Sequence, residues 1–142
     1  MRHLLVGIDG SQSARKAALY AHDLAQQIGA RVTLLFVLDP PRVFPIGPLD
    51  SVAIAAHPPP PEEMQRVTQL LDEVAKDLPR AQLEKRVVVG APAATLLEQA
   101  RELAADTIVV GARGLGPGGR WLLGSVSDRV VHHADRPVIV VH

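Results

Sequence analysis

The stretch 107–141, "TIVVGARGLGPGGRWLLGSVSDRVVHHADRPVIVV", decides the fold. It opens and closes on short runs of Val and Ile, with a glycine-rich loop and a helical pattern between them. Each run is too short for a helix and shows no polar alternation. Both read as strands buried on two faces, the kind a parallel sheet uses. Parallel strands need a crossover, and the segment from about Ser125 to Ala134 supplies one as a helix.

The same alternation extends upstream. "HLLVGID" (3–9), "RVTLLFVL" (31–38) and "LEKRVVV" (83–89) read as three more strands. Between the first two, Ala14, Ala17, Ala18, Ala21, Leu24, Ala25 and Ile28 recur at helical spacing. Ser11 is placed to cap that helix and Gly29 to end it. A second helix starts at Pro61 and runs to about Leu78, with Met64, Val67, Leu71, Val74 and Leu78 inward. A third follows Pro92, with Leu96, Leu97, Ala100, Leu103 and Ala104 on one face. Residues 39–61 interrupt the rhythm. They hold 8 of the 12 prolines and read as a long loop, with "SVAIAA" able to form one short helix.

Strands alternating with helices predict an α/β fold with helices on both faces of the sheet. Right-handed crossovers leave few topologies. The expectation is one domain over 1–142: a doubly wound, five-stranded parallel sheet of flavodoxin-like or Rossmann-like type, order 3-2-1-4-5. In that order the chain reverses direction between strands 1 and 4, and ligands of such sheets sit at that switch point. Strand 1 ends at Asp9, and strand 4 ends at Gly111, where the glycine loop begins.

Composition narrows the functions. The 142 residues carry 15 basic and 15 acidic side chains, so nothing favours broad contact with nucleic acid. The absence of cysteine removes disulfides, thiol catalysis and Cys-ligated zinc. No apolar run approaches the ~20 residues of a membrane helix, and a cytoplasmic location is expected. The 6 histidines show no i, i+4 pair of the kind that ligates a metal. His132 and His133 fall near a helix C-terminus, where positive charge complements the dipole. No G-x-S-x-G elbow or triad order is present.

The glycine loop runs from a strand end into a helix start. Helix N-termini present unpaired amides and partial positive charge, and glycines let a backbone approach an anion closely. The pattern reads as a phosphate site. It lacks the lysine of a P-loop. Its G-x-G-x-x-G letters at Gly114, Gly116 and Gly119 come after the fourth strand, without the acidic ribose partner of a dinucleotide site.

The spacing is Gly111, two residues, Gly114, nine residues, Gly124-Ser125. With "LLVGIDGS", "VVVGAPAATLLEQA" and "GSVSDRVVHHADRPVIVVH" around it, the chain resembles, over essentially its whole length, the ATP-binding branch of the universal stress protein family. That resemblance implies ATP, with Mg2+ carried on the phosphates, and a regulatory role with little or no turnover. It places Asp9 and Gly10 near the ribose or the phosphate-bound metal, and the backbone of Val37 at the adenine. Gly111 and Ala112 would line the ribose. Gly114, Gly124, Ser125 and Val126 would cradle the phosphates, and Arg113 is a further phosphate candidate. Asp9 and Ser125 each also fit a plain helix-capping role. Trp121 reads as packing. The alternatives are a slow ATPase or a nucleotidyl or phosphoryl transferase, with Asp9 the one general-base candidate, and a dimeric interaction module without nucleotide. The last strand, between Pro137 and Val141, would be an apolar sheet edge. It invites antiparallel pairing with a second copy, and the resemblance implies a homodimer as well. A downstream protein partner is expected but not identified.

Overall fold

The computed structural model of the chain describes residues 2–40, 58–78, 82–113 and 123–142. Within them strands and helices alternate: β1 (His3–Ile8), α1 (Gln12–Ile28), β2 (Arg31–Leu38), α2 (Pro61–Lys76), β3 (Leu83–Val89), α3 (Pro92–Glu102), β4 (Thr107–Gly111), α4 (Ser125–His133) and β5 (Val138–Val141). The strands form one parallel sheet of order β3-β2-β1-β4-β5. Gly114, Trp121 and the short helix expected at "SVAIAA" lie outside the described residues.

The period of two along each strand divides the core. Leu4, Val6 and Ile8 face one side with Val32, Leu34, Leu38 and Val109, and there they meet α1 and α2. Leu5, Leu35, Ile108 and Val110 face the other side, against α3 and Val130 of α4. The central strands are therefore apolar on both faces, while β3 and β5 at the sheet edges are half-exposed.

Helix α1 turns a row of buried alanines to the sheet: Ala14, Ala17, Ala18, Ala21 and Ala25. Small side chains let its backbone approach β4 closely, which matters at the crevice below. Ser11 caps it by accepting the Ala14 N–H at 3.1 Å. Gly29 ends it in the left-handed region, at φ +66°. Ile28, the last of the residues at helical spacing, stands 42% exposed at the end of α1.

Helix α3 departs from expectation at its end. It stops at Glu102, so Ala104 lies beyond the helix, exposed, at φ +47°. Ala105 takes the buried position instead. Arg136 reaches across from the α4–β5 turn and donates to the carbonyls of Ala100 and Ala105 at 2.7 and 2.5 Å.

At the N-terminal ends of the strands, His3 is buried. Its Nδ1 lies 3.1 Å from the Leu103 carbonyl, which can only accept, so Nδ1 carries the proton. Nε2 then accepts from the Thr33 hydroxyl at 2.8 Å. Asp106 accepts the N–H groups of Arg2 and His3.

Candidate functional site: the crevice between β1 and β4

Strands β1 and β4 are neighbours, although three helices and two further strands separate them in sequence. From β1 the chain winds one way across the sheet, and to β4 it returns the other way. The carboxyl ends of the two strands thus open a crevice between the N-termini of α1 and α4. Asp9, Gly10, Gly111, Ala112, Arg113, Gly124, Ser125 and Val126 all fall at this end of the sheet. β2 runs two residues past its pairing with β1, which ends at Ile8 and Phe36. Val37 therefore stands at the rim, where β2 is still paired with β3.

The β1–α1 turn is built by three residues. Asp9 Oδ1 accepts the Ser11 N–H at 2.9 Å. Gly10 sits at φ +87°, and a Cβ there would meet Leu70 Cδ1 at 3.0 Å. Ser11 Oγ caps α1 and donates to the Arg113 carbonyl at 3.3 Å. The cap is Ser11, so the plain capping role open to Asp9 is not the one it has. Asp9 shapes the turn through its Oδ1.

The end of β4 is held more tightly. A Cβ on Gly111 would lie 2.6 Å from the Ser13 carbonyl carbon and hydroxyl, and 2.7 Å from Ala14 N. Only glycine lets α1 come this close. Ser127, buried in the first turn of α4, donates to the Gly111 carbonyl at 2.6 Å. Ala112 N–H donates to the Val141 carbonyl and Gly124 N–H to the Ala112 carbonyl, each at 2.7 Å. Ser13 Oγ accepts the Arg113 N–H at 3.3 Å and donates to the Val141 carbonyl at 3.2 Å.

Gly124, not Ser125, is the N-cap of α4. Ser125 stands one position inside the helix, exposed, where its capping role lapses. The first turn closes with Asp128 N–H on the Gly124 carbonyl at 2.9 Å. The N–H groups before it have no partner within the helix and point out of its end. The Asp128 carboxylate lies 3.5 Å from His132, one turn along the helix. Gly124 adopts φ −62° and ψ 153°, values open to any residue. Its backbone does not call for glycine, unlike that of Gly10.

A cavity of about 300 Å³ adjoins the crevice on the α1 side, lined by Ser13, Lys16, Ala112, Arg113 and His142 among others. The arrangement offers helix amides, two small residues and nearby cationic side chains, a combination suited to an anionic ligand. Ser13 and Ser127 were not singled out in the sequence. Their one signal is position: each falls within three residues of a predicted helix start, Ser127 beside the glycine motif and Ser13 after the first strand.

Comparison with known proteins agrees with this architecture. The model of the universal stress protein family matches residues 1–142. A universal stress protein of Thermus aquaticus is 32% identical over 97% of this chain and 96% of its own. The solved structure of the universal stress protein UspA from Lactobacillus plantarum superposes with a TM-score of 0.74 at 30% identity, covering 99% of this chain and 97% of that one. A universal stress protein crystallised in complex with cAMP superposes at 0.73 and 28% identity, over 99% and 96%.

Proposed function

Because this chain belongs to the universal stress protein family, we propose that it is an ATP-binding regulatory protein whose crevice between β1 and β4 holds the nucleotide. The observation that carries this reading is the junction at Ala112. There the end of β4 is hydrogen-bonded to Gly124, so the amide end of α4 opens beside Gly111 and Asp9 at the sheet's switch point. The phosphates lie on Gly124, Ser125 and Val126, and Arg113 flanks them. Gly111 and Ala112 line the ribose, and the rim at Val37 meets the adenine. The cAMP-bound relative supports an adenine ligand. Among the described residues no three His, Asp or Glu side chains form a metal site of their own. Magnesium arrives on the phosphates, as it commonly does, with Asp9 the carboxylate at hand.

The protein works in the cytoplasm, as a homodimer paired through β5. Among the described residues no helix is long and apolar enough to cross a membrane. It regulates rather than turns over. Nucleotide state sets the glycine loop, including Gly114, and through it the surface offered to a protein partner.

Calorimetric titration of ATP with magnesium into nucleotide-free protein tests the reading, with Gly124→Val beside it. The φ and ψ at 124 are open to valine, whose side chain is expected to block the phosphates, and a circular dichroism spectrum checks that the variant folds. Saturable binding in the micromolar range or tighter is expected in the wild type and not in the variant. AMP and cAMP titrations rank the ligands, and phosphate release over hours measures turnover. A nucleotide-free wild type that binds none of the three overturns the reading.

A further inference from the structure

We propose that nucleotide occupancy and self-pairing of β5 are coupled through Ala112 and Ser13, with Ser13 the positioning residue that transmits much of the coupling. The inference rests on the nucleotide and dimer readings above and adds a link between them.

Val141 ends β5, the strand at the sheet edge. Its carbonyl accepts two donors, the Ala112 N–H at 2.7 Å and the Ser13 hydroxyl at 3.2 Å. Both donors belong to the crevice. The carbonyl of Ala112 accepts the Gly124 N–H at 2.7 Å, so one residue joins the edge strand to the last glycine of the phosphate motif. Ser13 makes a second link. Its hydroxyl donates to Val141 while accepting the Arg113 N–H at 3.3 Å. One hydroxyl satisfies both roles. Ser13 reaches this place because Gly111 has no side chain to keep α1 away.

Strand ends fray, and the outer side of β5 has no partner among the described residues. A phosphate held at the start of α4 must immobilise Gly124 and the adjoining Ala112–Arg113 backbone. Those residues in turn hold the Val141 carbonyl, directly and through Ser13. An incoming second copy then meets an edge that is already ordered and loses less freedom in pairing with it. Nucleotide therefore tightens the dimer, and by linkage dimerisation tightens nucleotide binding by the same factor.

The experiment is sedimentation of a dilution series, with and without saturating magnesium–ATP, for the wild type and Ser13→Ala. Calorimetry on the same samples measures ATP binding. In the wild type, ATP is expected to lower the dimer dissociation constant about tenfold. In Ser13→Ala, measured at ATP concentrations that calorimetry shows to be saturating for that variant, the ratio shrinks to roughly threefold or less, leaving the Ala112 link. A hydroxyl with a merely structural role would shift the dimer constant equally with and without ATP and leave the ratio intact. That result, or a wild-type ratio of one, overturns the coupling while leaving the nucleotide and dimer readings standing. Calorimetry without ATP binding, or sedimentation without a dimer, overturns those readings themselves and the coupling with them.

Discussion

Two glycines of one motif do different jobs, and the spacing alone does not tell them apart. Gly111 is required by packing, because any side chain would enter the backbone of Ser13 and Ala14. Backbone cannot rotate away as a side chain can, so Gly111→Ala is expected to cost about 1–3 kcal/mol, read as a lower urea midpoint. Gly124 has an ordinary extended conformation. Gly124→Ala is expected to leave the midpoint nearly unchanged and to weaken nucleotide binding. Equal destabilisation of the two variants would mean that both glycines are structural. The motif was legible because glycine is conspicuous. Ser13 and Ser127 were not, since a serine that bridges two backbone segments looks, in sequence, like one that faces water. Ser127→Ala removes a buried bond to the Gly111 carbonyl. It is expected to cost about 1 kcal/mol and to lower ATP affinity by loosening α4 against β4, which urea titration and calorimetry read separately.

Helices α1 and α3 end in the same way with different residues. After α1, Ala30 N–H bonds the Ala25 carbonyl across left-handed Gly29. After α3, Ala105 N–H bonds the Ala100 carbonyl and Ala104 N–H the Arg101 carbonyl, across left-handed Ala104. Both are six-residue closures of the kind glycine favours. The first end was legible from its glycine. The second was not, and the apolar pattern ran on through Ala104 as if the helix continued. A β-carbon in this region costs about 1 kcal/mol, so Ala104→Gly is expected to raise the thermal midpoint by a few degrees; a fall would mean that the methyl has a packing role. At the sheet edge the reasoning concerns direction. Ile108 N–H bonds Pro137 and Ala112 N–H bonds Val141, so alternate residues of β5 face β4. Val138 and Val140 turn their N–H and C=O groups outward. Val140→Pro removes an outer donor without touching the β4 ladder. A monomer with an intact circular dichroism spectrum is expected, and a persistent dimer would place the interface elsewhere.

Over the whole molecule, the order of the sheet was legible because its central strands are apolar on both faces and its helices on one. Pattern could not show what joins the far ends of the chain, since those links run between residues a hundred positions apart. His3 is an instance: it opens β1, yet its environment comes from Thr33, Leu103, Arg31 and Asp106. Burial holds its pKa below the ordinary value of 6.5 and the Arg31 charge lowers it further, against weaker opposing effects of the Leu103 carbonyl, Glu84 and Asp106. The unfolded chain therefore takes up this proton at a higher pH than the folded one. Stability from His3 is complete above the unfolded pKa and is lost as pH falls from there through the folded value. Asp106 is shifted downward by the N–H groups of Arg2 and His3, and Asp135 by Arg136 and Arg101. Their contributions have the same sign but fade only below the ordinary carboxylate range. As pH falls from about 7, the His3 contribution is therefore lost before those of the two carboxylates. Urea unfolding between about pH 7 and pH 5 should show a falling midpoint in the wild type. His3→Gln, which cannot charge, should start less stable at pH 7 and lose less on acidification. An equal slope in the two proteins would mean that protonation of another group drives the change.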